Sequence, residues 1–169
     1  ADGMAVVAHV GDTSFMVCNG SLVEFLSQDH RVEKDEMRRI VARGGEVRVG
    51  TISGITTNRV YLPGMTGPGI AMSRALGDLE AQTLGVSCQP DISWVPLPPG
   101  STVVLASDGV WDRMSPEEVA EHVALAAARD PSYRVSALAM DIVNVARSRW
   151  PGPDNIDDIT TIIVRQDCA

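Results

Sequence analysis

Three turns in this sequence carry aspartate where a carboxylate could serve a metal site. They are Gly11-Asp12, Ser107-Asp108-Gly109 and Asp157-Asp158, and each precedes or follows an apolar, strand-like stretch. A carboxylate at a strand end can point into a cleft, and glycine beside it lets the backbone pack closely. Converging carboxylates repel one another unless a cation lies between them, and hard oxygen ligands favour Mg²⁺ or Mn²⁺. Gly-Asp also forms ordinary turns, so the residues alone leave both interpretations open.

Patterns of apolar and turn residues predict the elements that would position these aspartates. Asn19-Gly20 predicts a hairpin between strands at 14–18 and 21–26, because both turn residues tolerate positive φ. Ser115 and Glu118 have the spacing of a capping box and predict the start of a helix. Further strands are predicted at 5–10, 92–95, 102–106 and 159–164, the first and last of them buried, and helices at 33–43, 115–128 and 132–149.

The segment 50–69 differs in composition from the rest of the chain. It contains five glycines and two prolines, and it offers only a short strand around 59–62. Such a composition predicts a mobile flap or long loop.

Charge and cysteine content exclude several classes of protein. The 14 basic and 22 acidic residues give a net charge of −8, and the arginines are scattered, so no nucleic acid or membrane partner is expected. No run approaches the ~18 apolar residues of a membrane span. Cys18, Cys88 and Cys168 lack the spacing of a zinc finger or a disulfide framework, which favours a reducing, cytoplasmic or nuclear location.

The beginning of the chain suggests that the sequence is part of a longer protein. It starts at Ala1 rather than methionine, enters a strand-like stretch almost at once, and has no pattern of a secretory signal. We therefore expect an N-terminal portion to be missing.

Six short segments follow one another in an order that one protein family shares. They read VGDTS at 10–14, LSQDH at 26–30, AMSRALGD at 71–78, QPDI at 89–92, LASDGVWD at 105–112 and DDIT at 157–160. On these segments the chain resembles the C-terminal part of the metal-dependent serine/threonine protein phosphatases of the 2C type. The resemblance covers nearly the whole chain, and SRALGD followed by LASDGVWD is its most specific part.

The resemblance implies an α+β fold and a domain assignment. The family fold is a four-layer α-β-β-α sandwich, in which two antiparallel sheets have helices outside. Residues 1–169 would form the C-terminal part of one catalytic domain, with a flap at about 50–69 that tunes which phosphoprotein is accepted. Missing strands would leave open sheet edges, which favour pairing with another chain and make a dimer possible.

The resemblance also implies a set of metal ligands. Asp108 matches the aspartate that bridges into a two-metal centre, and Asp157 matches the ligand that opens the last motif. Asp154 is the alternative for that second position, but the register of the following strand favours Asp157. Asp12 matches an aspartate of a third, weaker metal site, although this chain reads GDTS where the family reads GDSR. No residue of this chain matches a catalytic side chain.

The implied activity is Mg²⁺- or Mn²⁺-dependent hydrolysis of phosphoserine and phosphothreonine in proteins, by a metal-activated water. The family's DGHGG segment, an upstream acidic ligand and the phosphate-binding arginine all precede the residues matched here. We therefore expect the parent protein to be the enzyme and this chain alone to be inactive. The alternative is a non-catalytic pseudophosphatase or partner-binding module, which the missing motifs would distinguish.

Overall fold

A computed structural model of the chain describes residues 3–166. The predicted hairpin at Asn19-Gly20, the helix that begins after Ser115 and the other predicted strands and helices are present. Four further elements were not predicted: a strand at 46–52, short helices at 79–83 and 108–111, and a 3₁₀ turn at 153–155. In chain order the strands are β1 Met4–His9, β2 Ser14–Asn19, β3 Leu22–Leu26, β4 Glu46–Ile52, β5 Ile55–Tyr61, β6 Asp91–Pro96, β7 Thr102–Ala106 and β8 Thr161–Arg165. The helices are α1 Lys34–Ala42, α2 Leu79–Thr83, α3 Asp108–Trp111, α4 Pro116–Arg129 and α5 Val135–Ser148, and a 3₁₀ turn spans Pro153–Asn155.

The described residues form two compact units. The first comprises residues 3–7, 13–28 and 92–166, and the second comprises residues 8–12 and 29–91. No helix among residues 3–166 is long and apolar enough to cross a membrane.

The first unit is built on an antiparallel sheet with the strand order β3-β2-β7-β8. The predicted hairpin between β2 and β3 is confirmed, but its turn lies one residue later than expected. Asn19 pairs with Leu22, so the loop is Gly20-Ser21, and Gly20 has a φ of 57°. Glycine takes this left-handed conformation without the steric cost that a β-carbon adds.

Each face of this sheet packs against a different layer. Helices α4 and α5 cover one face, where the buried cluster includes Met16, Val104, Val119, Ile142 and Ile163. On the other face, Val7 of β1 and Val95 of β6 pack against the sheet residues Phe15, Val17 and Val103. The described part of this unit therefore has three layers, α-β-β, with antiparallel pairing in the central sheet. A fourth, helical layer stays a prediction.

The two strands predicted to be buried are covered on one side only, so that part of the prediction was wrong. In β1 Val7 is buried, whereas Val6 is 57% exposed. In β8 Ile163 is buried, whereas Ile162 is 56% exposed. Successive side chains of a strand point to opposite faces, and their aliphatic composition concealed this alternation.

The second unit contains α1, α2 and a β-hairpin of strands β4 and β5. Val32, Ile40, Val60, Ala81 and Val86 form part of its core. The prediction of only a short strand around 59–62 was wrong, because both hairpin strands have seven residues. Their two-residue turn, Ser53-Gly54, has φ angles of 51° and 83°, which suits the twist of the paired strands.

The loop that follows this hairpin is held by side chains of the hairpin itself. Arg48 donates a hydrogen bond to the Met65 carbonyl oxygen at 3.0 Å, and Arg59 donates to the Pro68 and Gly69 carbonyl oxygens. The first part of the expected flap is thus regular structure, and the mobility of the remainder stays a prediction.

Candidate metal centre

The structure brings the segments of Asp108 and Asp157 to the same end of the central sheet. Asp108 begins α3, directly after β7, and Asp157 lies in the segment that leads into β8. Strands β7 and β8 are antiparallel neighbours, with Ala106 opposite Thr161. The C-terminal end of β7 and the N-terminal end of β8 therefore coincide.

Ser107 ties these two segments together. Its hydroxyl donates a hydrogen bond to the Asp158 carbonyl oxygen at 2.8 Å and accepts one from the Thr160 N–H at 3.1 Å. The Ser107 N–H also donates to the Thr160 carbonyl oxygen at 3.1 Å. We call these three hydrogen bonds the Ser107 clasp. Asp108 and Asp157, the two expected ligands, are each next in sequence to a residue of the clasp, which limits how far the two segments can separate.

Close backbone packing continues at Gly109. A β-carbon at this position would collide with the Asp158 carbonyl oxygen and would lie 3.1 Å from Ile159 Cα. Gly109 does not have a positive φ, so its backbone conformation does not require glycine. The close approach of the two segments does, because a β-carbon would not fit between them.

Two tryptophans anchor the same loop through their indole N–H groups. Trp111 donates to the Ala106 carbonyl oxygen at 2.8 Å, and Trp150 donates to the Gly109 carbonyl oxygen at 3.0 Å. The buried member is Trp150, at 6% exposure, whereas Trp111 is half-buried. Trp150 was not among the residues predicted from the sequence, because a position just after a helix does not indicate a contact 41 residues away.

Two further aspartates bear on the ligand assignment. Asp112 lies four residues after Asp108, and its N–H donates to the Asp108 carbonyl oxygen at 2.8 Å. Residues four apart on a helical turn share a face, so Asp112 is a candidate that this spacing could have revealed. Asp154 lies in the 3₁₀ turn, while Asp157 Oδ1 accepts a hydrogen bond from the Asp158 N–H at 2.8 Å.

The carboxylates at this end of the sheet fit Mg²⁺ or Mn²⁺ in kind but not in number. Hard cations prefer carboxylate oxygens, and Mg²⁺ completes its shell with water. Among residues 3–166, however, no three His, Cys, Asp or Glu side chains come together closely enough to hold a metal ion. The described residues therefore do not form a complete metal site by themselves, and the expected ligand set stays a prediction.

Asp12 belongs to the second unit, where its carboxylate meets arginine. Arg31 Nη1 lies 3.3 Å from Asp12 Oδ2, and Arg31 Nη2 lies 3.3 Å from Asp29 Oδ2. The adjacent turn is fixed by His30, whose Nδ1 accepts a hydrogen bond from the Gly11 N–H at 3.1 Å.

His30 is part of a polar network that supports this turn. The ring is buried, and its Nε2 lies 3.0 Å from Asp91 Oδ2, while Arg74 Nη1 contacts Asp91 Oδ1 at 2.7 Å. Hydrogen bonds from His30 and then Arg74 hold the pKa of Asp91 below its ordinary value, because both favour the carboxylate. Arg74 of the SRALGD segment thus has a structural contact.

Comparison with known proteins shows the family of the chain. The sequence model of the family Protein phosphatase 2C matches residues 2–149. The chain belongs to this family. The match ends before Asp157, so the assignment of Asp157 as a ligand stays a prediction, which rests on the register of the following strand.

Relatives of this phosphatase 2C chain match it over most of its length. The chain is 31% identical over 166 residues to "Probable protein phosphatase 2C 12" of Oryza sativa subsp. japonica. The aligned region covers 95% of this chain and 40% of the relative. The chain is 30% identical over 169 residues to "Probable protein phosphatase 2C 2" of Arabidopsis thaliana, covering 98% of this chain and 40% of the relative.

Solved structures of the same type share the fold. The crystal structure of serine-threonine phosphatase 2C from Toxoplasma gondii matches with a TM-score of 0.73 and 27% identity, covering 98% of this chain and 55% of that structure. The chain therefore spans about half the length of this structure and 40% of the rice and Arabidopsis relatives.

Proposed function

We propose that the protein to which this chain belongs hydrolyses phosphoserine and phosphothreonine in other proteins, using Mg²⁺ or Mn²⁺ held by Asp108 and Asp157. The observation that carries this proposal is the Ser107 clasp, with its hydrogen bonds of 2.8 and 3.1 Å between the segments of both aspartates. Membership of the phosphatase 2C family supports it.

In this proposal, side chains of the chain bind the metal ions and hold them in position. Asp108 and Asp157 would supply carboxylate oxygens, and Asp112, four residues after Asp108, would add a third only after side-chain movement, since no three such groups among residues 3–166 lie close enough together. A bound metal lowers the pKa of a water and offsets charge on the phosphoryl oxygens. Ser107 and Trp150 support the ligands indirectly, because groups that fix a ligand's segment keep its carboxylate from rearranging.

The chain alone is proposed to be inactive because its ligand set is incomplete. Three carboxylates cannot hold two ions firmly against water, and a phosphate needs a positioned cation of its own. The remaining length seen in the relatives would supply these groups, as the resemblance implies for the DGHGG segment and the upstream arginine.

The test measures phosphate release from a phosphothreonine peptide with Mn²⁺ at about millimolar concentration, above the weak affinities of open carboxylate sites. It compares the 169-residue chain, the full-length product of its gene, and the full-length Asp108→Ala variant. We expect activity only in the unsubstituted full-length protein. Activity of the isolated chain close to that of the full-length protein would show that the site is misplaced. A folded, inactive full-length protein would favour the pseudophosphatase.

A further inference from the structure

The carboxylate of the Gly11-Asp12 turn pairs with the guanidinium of Arg31. Arg31 places one guanidinium nitrogen 3.3 Å from the Asp12 carboxylate and another 3.3 Å from the Asp29 carboxylate. The Asp12 side chain is 12% exposed and the Arg31 side chain 26%, so the contact is shielded from water. We infer that the Arg31 guanidinium fills the position of a metal ion at Asp12, and that Asp12 binds a divalent cation only when Arg31 is removed.

The backbone that carries Arg31 is held next to the Gly11-Asp12 turn. The preceding residue, His30, exchanges two hydrogen bonds with Gly11, at 2.9 Å from N–H to carbonyl oxygen and 3.1 Å from the Gly11 N–H to Nδ1. Arg31 itself forms an isolated antiparallel bridge with Met72. Because the backbone that carries Arg31 is fixed, forming the ion pair costs only the rotamer freedom of the side chain and no further backbone freedom.

The charges explain why the arginine and a metal ion exclude one another. Asp12 and Asp29 contribute two negative charges, and Arg31 lies between them with one positive charge. A divalent ion at the same carboxylates would lie a few ångströms from the guanidinium, and this repulsion is large where water is scarce. With Arg31 removed, the same two carboxylates supply hard oxygen ligands to Mn²⁺.

This inference refines the proposed function, since the family resemblance assigns Asp12 to a third, weaker metal site. It is tested by metal binding and not by phosphatase activity, so its failure is distinguishable from failure of the proposed function. The probe is Mn²⁺ alone, titrated into the 169-residue chain and followed by the loss of the free Mn²⁺ electron paramagnetic resonance signal.

The variants are Asp12→Asn, Arg31→Met, the double variant, and Arg38→Met as a matched control. Arg38 pairs with Asp35 at 2.8 Å on an exposed face of α1, so its removal takes one arginine away from a single carboxylate. We expect Asp12→Asn alone to change Mn²⁺ affinity less than about twofold. Arg31→Met should bind Mn²⁺ at least about tenfold more tightly than the unsubstituted chain does. The double variant, Arg31→Met with Asp12→Asn, should lose this added site. Arg38→Met should add none.

Two results would overturn the inference. One is a large loss of Mn²⁺ affinity in Asp12→Asn while Arg31 is present, since Asp12 would then bind metal beside the arginine. The other is no gain of affinity in a folded Arg31→Met chain. If circular dichroism shows that Arg31→Met does not fold, Arg31→Ala and the Asp12→Asn comparison decide the question.

Discussion

Single residues on either side of Asp108 determine how closely its segment approaches that of Asp157. Ser107 bridges the two segments through its hydroxyl, and Gly109 leaves no room for a side chain against Asp158 and Ile159. The residues on both sides of Asp108 are therefore restricted by packing against the segment of Asp157.

Replacing Gly109 with alanine should destabilise the chain by about 2 kcal/mol, because the backbone of residues 158–159 must move to admit a methyl group. Gly50→Ala is the comparison, since its β-carbon would meet a side chain, Arg59 Cδ at 2.8 Å, and not backbone, and it should cost less than Gly109→Ala. Urea unfolding followed by circular dichroism measures both values. Equal, small effects would mean that the two segments pack less closely than described.

Among the elements, α4 shows how much local sequence can determine. The predicted capping box is confirmed: the Glu118 N–H donates to Ser115 Oγ at 3.2 Å, and Glu118 Oε2 accepts from the Ser115 N–H at 2.9 Å. Arg149 also contacts both carboxylate oxygens, at 2.9 and 3.0 Å. This second contact joins residues 31 positions apart, and no local pattern indicated it.

The Glu118 contacts predict a pH dependence of stability. Hydrogen bonds from Arg149 and then Ser115 lower the pKa of Glu118 from 4.5 to about 2. A lowered pKa in the folded state stabilises the chain above the unfolded value of 4.5, and this contribution is lost as pH falls towards 2. Glu118→Gln should therefore lower the thermal midpoint near neutral pH, with a difference that shrinks on acidification.

Thermal unfolding of the chain and of Glu118→Gln at a series of pH values measures this difference. Glu117→Gln, in the same helical turn, controls for the loss of a carboxylate near the helix N-terminus. A difference that stayed constant from neutral pH to pH 2 would contradict the assigned contacts.

Elements with regular turn and cap signals were predictable from the sequence. Elements in segments rich in glycine and proline were not, because such a composition is typical of loops. The β2–β3 hairpin and α4 followed from local residue types. The β4–β5 hairpin was missed because the glycines of 50–69 suggested a loop, although its turn at Ser53-Gly54 is regular. The clasp at Ser107 required tertiary contacts. The sequence placed candidate ligands at strand ends, but it could not show Arg31 beside Asp12.

At the scale of the whole molecule, residues 3–166 leave the edge strands of the central sheet, β3 and β8, unpaired on their outer sides. Strand β8 ends the central sheet and exposes apolar side chains, with Val164 at 53%. Exposed apolar edge strands tend to pair with other chains. The expected dimerisation through open edges therefore stays a prediction, now assigned to β8.

A charge on this edge should prevent the pairing. We expect the unsubstituted chain to self-associate at about 10–100 μM, and Val164→Lys to be monomeric, as judged by sedimentation velocity. Leu125→Lys, at an equally exposed position on α4, should leave the association unchanged. A chain that stays monomeric throughout this range would exclude the edge as a dimer interface.

In the proposed function, Asp108 and Asp157 hold the metal that promotes phosphate hydrolysis. The most direct test is the rate of phosphate release by the full-length protein as a function of Mn²⁺ concentration, for Asp108→Asn, Asp157→Asn and Asp154→Asn. We predict that the first two variants lose at least about 100-fold in rate, because each removes an oxygen ligand, and that Asp154→Asn stays within about threefold. A fully active Asp157→Asn beside an inactive Asp154→Asn would contradict the assignment.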